Sequence, residues 1–366
     1  MSTIVVIGGG AAGFFAAIAS AEANPEHKVI LLEKGKEVLG KVLISGGGRC
    51  NVTHACFDPK ELATYYPRGS KELLGPLHKF QPGDTMEWFA DRGVELKIEG
   101  DNRVFPITDS SSTIADCLIE MAESANVDIK KSSGVKSFSQ TEEGGWKVST
   151  TSGDTLIADK LMVATGSSKG VWEQLKKAGH RIIPPVPSLF TFNIKDERIK
   201  GLSGISLPNA TIQIASSDLE ASGPLLITHW GMSGPAILRL SAWGARELAE
   251  RDYRFTVQIN WIGESNEQAV LEALGASLVS IGKKQIRNAC PFDIPRKFWE
   301  YLVAKSGCDG HTTWNELGKK DRNRLLNTVL NDAYEVSGKT TFKEEFVTCG
   351  GIDLRDVNFN TMESRV

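Results

Sequence analysis

The sequence predicts an α/β protein that opens on a parallel β-α-β unit and carries a β-rich and then a helical segment further along the chain. Three observations predict it. Residues 3–7 are a β-branched run that enters a glycine cluster and then an Ala/Phe/Ile-rich helical stretch. Residues 27–33 form a second apolar run that ends on an acid and lacks alternation, as strands buried on both faces do. Past a proline cluster at Pro184, Pro185 and Pro187 the pattern changes to short strands, and past residue 264 to capped helices.

Taken in order, Gly46-Gly47-Gly48 forms a second glycine cluster, residues 60–92 read as amphipathic helix, and a hairpin turns at Asp101-Asn102 before a helix over 111–125. Residues 127–157 alternate in short strands joined by Glu143-Gly144-Gly145 and Ser152-Gly153-Asp154, an antiparallel meander. It feeds the apolar run Lys160 to Gly166, which is expected to rejoin the first sheet. From 189 to 263 strands dominate, with one helix after Pro235. From 264 to 345 helices dominate: Pro295 opens one that Gly307 stops, Thr313 to Glu316 fits a capping box, and Leu325, Leu326, Val329 and Leu330 share a face. The expected domains are therefore 1–188, 189–263, 264–345 and a return over 346–366. No internal repeat or low-complexity tract interrupts them.

Composition excludes several classes. The 366 residues are 41% hydrophobic and 24% charged, which rules out disorder, and 36 glycines imply many tight turns. A net charge of -3 offers no global field for a nucleic-acid backbone. The six cysteines, Cys50, Cys56, Cys117, Cys290, Cys308 and Cys349, show no C-x-x-C pair and no metal spacing, so they read as reduced thiols in the cytoplasm and no metal is expected. The uncharged run over 4–21 is interrupted by Gly8, Gly9, Gly10 and Gly13 and preceded by no cation, unlike a signal or membrane segment.

The chemistry begins at Gly8-x-Gly10-x-x-Gly13, placed after a strand and opening a helix. Gly8 allows the tight turn, Gly10 lets the backbone approach a pyrophosphate, and Gly13 lets the helix pack on the strand. Helix N–H groups and dipole then favour phosphate. Glu33, twenty residues after Gly13, is placed to accept from ribose hydroxyls and to repel a 2′-phosphate, which fits FAD or NAD and not NADP. Residues 40–53 add three glycines, a cation and small polar groups, which suit a long cofactor needing a second set of backbone donors. Ala164-Thr165-Gly166 ends a later strand with small residues at the sheet edge.

At SGGGRCNVT (45–53), RVFPITDSSS (103–112), LLITHWGMSGPAIL (225–238) and FVTCGGIDLRDVNFNTMES (346–364) the chain closely resembles the bacterial BaiN/YhiN-like flavoproteins, the aminoacetone oxidase family of FAD-binding enzymes, over nearly its whole length. The resemblance implies a glutathione-reductase-like, two-dinucleotide-binding Rossmann FAD domain interrupted by a β-rich and a helical domain. It implies that Gly8, Gly10, Ala11, Ala12, Gly13, Glu33, Lys34, Lys41, Gly47, Gly48, Arg49, Cys50, Asn51, Thr165 and Gly166 line FAD. Gly223-Pro224 stands where the family usually has Gly-Glu, which removes any role of that acid here.

Reacting residues are less visible, because a flavin performs the hydride chemistry and the protein supplies orientation and electrostatics. Cys50 and His229 are the candidates. Cys50 competes with the reading of a buried small residue, and His229 with that of a histidine fixing a glycine-rich turn. The expected activity is that of an FAD-dependent oxidoreductase on a small organic substrate; the resemblance implies NAD(P)H as reductant, the alternative being electron flow from substrate to oxygen, and since no second G-x-G-x-x-G follows a strand after residue 100, a nicotinamide would approach the flavin transiently. The alternatives are a flavin-dependent RNA-modifying protein and a non-catalytic flavin binder; neither nucleic acid nor membrane is expected as a partner. Residues 361–366 end the sequence where the resembling family continues with a strand, an acid facing the ribityl chain and a helix. That sets the expectation of a truncated form that binds FAD weakly or not at all.

Overall fold

In the computed structural model, which describes residues 1–264, 266–340 and 347–366, β1 (Thr3–Ile7) leads through α1 (Ala11–Ala23) into a parallel β2 (Lys28–Leu32). There follow α2 (Gly40–Gly48), β3 (Thr53–His54), α3 (Pro59–Thr64), α4 (Ser70–Lys79) and α5 (Pro82–Ala90). The stretch over 60–92 is thus three helices. Gly69 at φ +75 separates the first two, and Pro82 with a Gln81/Asp84 capping box restarts the third. The expected hairpin is β4 (Leu96–Ile98) with β5 (Arg103–Pro106), and α6 (Ser111–Ser124) follows it.

β6 (Asp128–Lys130), expected to belong to the meander, instead runs parallel to β2 as the fourth strand of the first sheet. The meander proper is β7 (Val135–Gln140), β8 (Trp146–Thr150) and β9 (Thr155–Ala158). β10 (Lys160–Val163) then pairs with β1, giving the parallel order β10-β1-β2-β6, before α7 (Lys169–Lys177). The period of two assigns the faces. Val6, Val29 and Leu31 pack with Phe14, Ile18, Ile114 and Leu118 of α1 and α6, while Val5, Ile7, Ile30 and Leu32 pack with Val148 and Ala158 of the meander. Each such buried side chain contributes about 1.5–3 kcal/mol over exposure, which explains why these strands carry no polar alternation.

This sheet and its covering layers make one compact unit, Met1–Pro185 with Gly350–Val366; a second unit spans Val186–Cys349. β11 (Ile182–Ser188) carries the chain out of the first unit. The second unit holds β12 (Thr191–Asn193), β13 (Ser206–Ile214), β14 (Glu220–Thr228), β15 (Gly231–Ser233), α8 (Pro235–Trp243), α9 (Ala245–Glu250), β16 (Phe255–Asn260), α10 (Glu267–Ile281), α11 (Arg296–Lys305), α12 (Lys319–Leu330), β17 (Asp332–Val336) and β18 (Gly338–Thr340). Its seven strands form one antiparallel sheet, ordered β17-β16-β13-β14-β15-β12-β18.

Two of those strands, β17 and β18, come from the stretch read as helical, and the β-rich and helical segments share one core around Ile212, Val257, Trp261, Phe298 and Leu325. Within that core Asp332 accepts from Trp261 Nε1 (3.0 Å), from the Tyr334 hydroxyl (2.8 Å) and from Lys305. The Thr313–Glu316 pair caps a turn, since α12 starts later, at Lys319. β19 (Val347–Ile352) returns to the first unit, where β20 (Val357–Asn358) and β21 (Glu363–Ser364) pair antiparallel. The 345/346 boundary and Phe346 lie outside the described residues.

Candidate cofactor site

The carboxyl ends of β1, β2 and β10 meet at one edge of the parallel sheet, where open α/β sheets take their ligands. Gly8 N donates to Leu32 O (2.8 Å), Ala164 N to Ile7 O (2.8 Å) and Glu33 N to Lys130 O (2.9 Å), so Gly8, Glu33, Thr165 and Gly166 come together although 158 positions separate the first from the last. The three fingerprint glycines are not equivalent. Gly8 sits at φ +114, and a Cβ there would run into the Ala164 carbonyl; one at Gly13 would run into the Gly8 carbonyl. These two glycines are required by packing alone.

Gly10 differs. Its φ of -92 suits any residue, and a Cβ there would meet nothing within 4 Å. It caps α1 without a side-chain hydrogen bond, no acid lies in the first turn, and Ala11 and Ala12 are exposed. The first-turn N–H groups therefore face open space with no side-chain acceptor, the arrangement that takes a phosphate.

Glu33 is held at both oxygens: Oε2 accepts from Gly9 N (2.8 Å) and Oε1 from Gly35 N (2.7 Å). Each oxygen retains a lone pair, so the carboxylate can fix the turn and still accept from ribose hydroxyls. Lys34 is exposed beside it.

Leu39 N donates to Gly9 O (2.8 Å), tying the start of α2 to the fingerprint turn. At ~1.5 Å per residue the helix carries the second glycine cluster only roughly 10 Å from that tie. There the backbone leaves the helix: Ser45 is extended, and Gly46, Gly47, Gly48 and Cys50 are left-handed at φ 58, 70, 85 and 59. A Cβ at Gly46 would crowd Asn51 N (2.8 Å), whereas Gly47 and Gly48 face open space. Lys41 and Asn51 are exposed. The arrangement thus fits a long dinucleotide: backbone donors at an uncapped helix end and in an open left-handed loop, with a pinned carboxylate as acceptor.

Cys50 is buried, and burial pushes its thiol above the ordinary value, which keeps it protonated at neutral pH. Arg49 is committed elsewhere. Its Nη2 and Nε donate to Asp109 Oδ1 (2.6 and 2.9 Å), Nη2 also pairs with Glu99, and the guanidinium lies 4.0 Å from the Phe105 ring centroid. These partners stand 60 and 50 positions away, and no sequence signal pointed to them. His229 is exposed in the two-residue turn between β14 and β15, in the second unit, whereas every cofactor candidate belongs to the first. Among the described residues no cluster of His, Cys, Asp and Glu could hold a metal, and no helix is long and apolar enough to cross a membrane.

The parallel sheet, the fingerprint turn and the carboxylate at the end of β2 define a Rossmann-type dinucleotide-binding protein. The chain belongs to the family described as "HI0933-like protein Rossmann domain", which it matches over residues 2–366, an FAD-binding family of flavin-dependent oxidoreductases. It is 26% identical over 373 residues to the ribosomal RNA dihydrouridine synthase of Escherichia coli (strain K12), covering 99% of this chain and 88% of that protein. It is 25% identical over 375 residues to the 3-dehydro-bile acid delta(4,6)-reductase of Clostridium scindens, covering 100% and 90%. The ribosomal RNA dihydrouridine synthase of Haemophilus influenzae is 26% identical over 373 residues, covering 98% and 88%.

Proposed function

We propose that the protein is an FAD-dependent reductase that saturates a carbon–carbon double bond conjugated to a carbonyl in a small organic substrate, with NAD(P)H as electron donor. The observation that carries the cofactor part of the reading is the open, uncapped end of α1 at Gly10 beside the doubly held Glu33. In the assignment, Gly8, Gly10, Ala11, Ala12 and Gly13 receive the pyrophosphate, and Glu33 with Lys34 receives the ribose. Lys41, Gly47, Gly48, Cys50 and Asn51 offer the second cradle, and Thr165 and Gly166 the small edge.

Bound there, FAD supplies the hydride transfer. The chain contributes backbone donors that hold the phosphates, a carboxylate that orients the adenosine half, and apolar cover including the protonated Cys50 thiol. The double-bond chemistry is supported by what the relatives' names denote: the Δ(4,6) pair of double bonds conjugated with a 3-oxo group is polarised toward hydride at the carbons β and δ to the carbonyl, and the uracil double bond at the carbon β to its carbonyl. Six free cysteines support a reducing, cytoplasmic setting.

Anaerobic titration with NADH and with NADPH tests the reading. Loss of flavin absorbance, followed by its return on adding a conjugated enone, is expected; a flavin that neither nucleotide bleaches overturns it. A second reading, that the conjugated bond is a uracil in RNA, is favoured by the near full-length similarity to two ribosomal RNA dihydrouridine synthases. Salt-sensitive gel shift with bulk RNA, together with reoxidation by RNA and not by the enone, would select it.

A further inference from the structure

We propose that Arg49 is a positioning residue: clamped by Glu99 and Asp109 over Phe105, it sets the left-handed backbone of Gly46, Gly47 and Gly48 and does not itself bind the cofactor phosphates. The proposal rests on the reading of that loop as the second FAD cradle.

Four observations within the first unit carry it. Two carboxylates engage Arg49 through Nε and Nη2, so a guanidinium turned toward a diphosphate would leave Glu99 and Asp109 facing new negative charge. Asp109 is itself a non-glycine residue at φ 52, a strained conformation that Arg49 and Lys97 hold from two sides. Gly46 and Arg49 face one ring: a Cβ at Gly46 would lie 3.0 Å from Phe105 Cε1, while the guanidinium lies 4.0 Å from that ring's centroid. Finally, Ser111 Oγ donates to Leu43 O (2.6 Å), fixing α2 against the start of α6, two residues beyond Asp109. Asp109, Phe105 and Arg49 thus form a bracket behind a loop whose Gly47 and Gly48 stay open at the front.

A double-mutant cycle on FAD affinity of the full chain tests the bracket, with the thermal midpoint and the flavin visible circular dichroism followed in each variant. Asp109→Asn is expected to weaken FAD by about tenfold, as Arg49→Ala does, with the double variant no weaker than Arg49→Ala and the dichroism altered in all three. Arg49→Lys should fail to restore affinity, since an ammonium lacks the fork and the stacking face. Direct phosphate binding predicts the opposite sign: Asp109→Asn frees the guanidinium and leaves FAD unchanged or tighter, and Arg49→Lys restores it. Either of those results overturns the proposal while leaving the cofactor reading intact. A wild-type chain that takes up no FAD overturns both.

Discussion

Gly10→Val separates a glycine kept for packing from one kept for a ligand. At φ -92 and ψ -177 the backbone is in the extended region that a β-branched residue prefers, and a Cβ meets nothing within 4 Å. The fold should therefore not suffer. The expected change in unfolding free energy is within about 1 kcal/mol, the loss of glycine freedom in the unfolded chain offsetting the poorer N-cap preference of valine. The cofactor should suffer heavily, because the valine methyls occupy the space through which a pyrophosphate reaches the first-turn N–H groups. Losing two hydrogen bonds to a charged group, each worth about 1.5–3 kcal/mol, weakens FAD by roughly 10²–10⁴-fold.

The assay is paired: urea unfolding of the flavin-free chain, and FAD titration by flavin fluorescence. Gly13→Ala is the control with reversed signature. Its Cβ runs into the Gly8 carbonyl, so it should destabilise the chain by about 1–3 kcal/mol or more. A folded Gly10→Val protein with wild-type FAD affinity would refute the placement of the pyrophosphate.

Three further outcomes are expected. Glu33→Gln turns an amide NH₂ toward either Gly9 N or Gly35 N, so one backbone bond is lost; urea midpoints should report about 1–3 kcal/mol of destabilisation, and FAD should bind more weakly. His229→Asn alters an exposed hairpin turn and should leave the thermal midpoint and flavin content unchanged by calorimetry and absorbance; a drop in both would assign the ring to building the turn. Stability should fall in acid. The Arg355 side chain holds the Asp353 carboxyl below the ordinary 3.8, and Arg181 does the same for Asp356. Carboxylates depressed in the fold stabilise it fully above 3.8 and lose that contribution as pH falls through their lower folded values. Thermal midpoints measured between pH 5 and 2 should show that decline, and Asp353→Asn should flatten it.

The first unit was legible where its determinants are local. The run from Thr3 to Ile7, the glycine spacing and the acid at 33 all lie within thirty-three residues, and they marked β1, α1, β2 and the fingerprint turn. β6 was read as a strand but placed in the wrong sheet, because three residues carry little periodicity and its membership depends on pairing with β2, about a hundred positions earlier. β17 and β18 were hidden for the same reason: each is short, β17 follows directly on α12 and β18 on β17, and each is defined by pairing with a strand far earlier in the sequence, β16 and β12. In the site, the glycines announced an anion cradle, but spacing could not tell Gly10, which packing does not require, from Gly8 and Gly13, which it does. Nor could it show that the Arg49 charge is spent on Glu99 and Asp109, since an ion pair across fifty residues leaves no local pattern.

Whether this edge of the parallel sheet holds a flavin dinucleotide is decided by the visible spectrum of the purified full chain before and after incubation with FAD, with mass spectrometry of whatever small molecule acid releases. One equivalent of FAD, present at purification or taken up on incubation and retained through gel filtration, is the predicted result, against the weak or absent binding expected of a truncated form. A chain that folds cooperatively and yet retains no FAD after incubation, or that carries only FMN, would contradict the account.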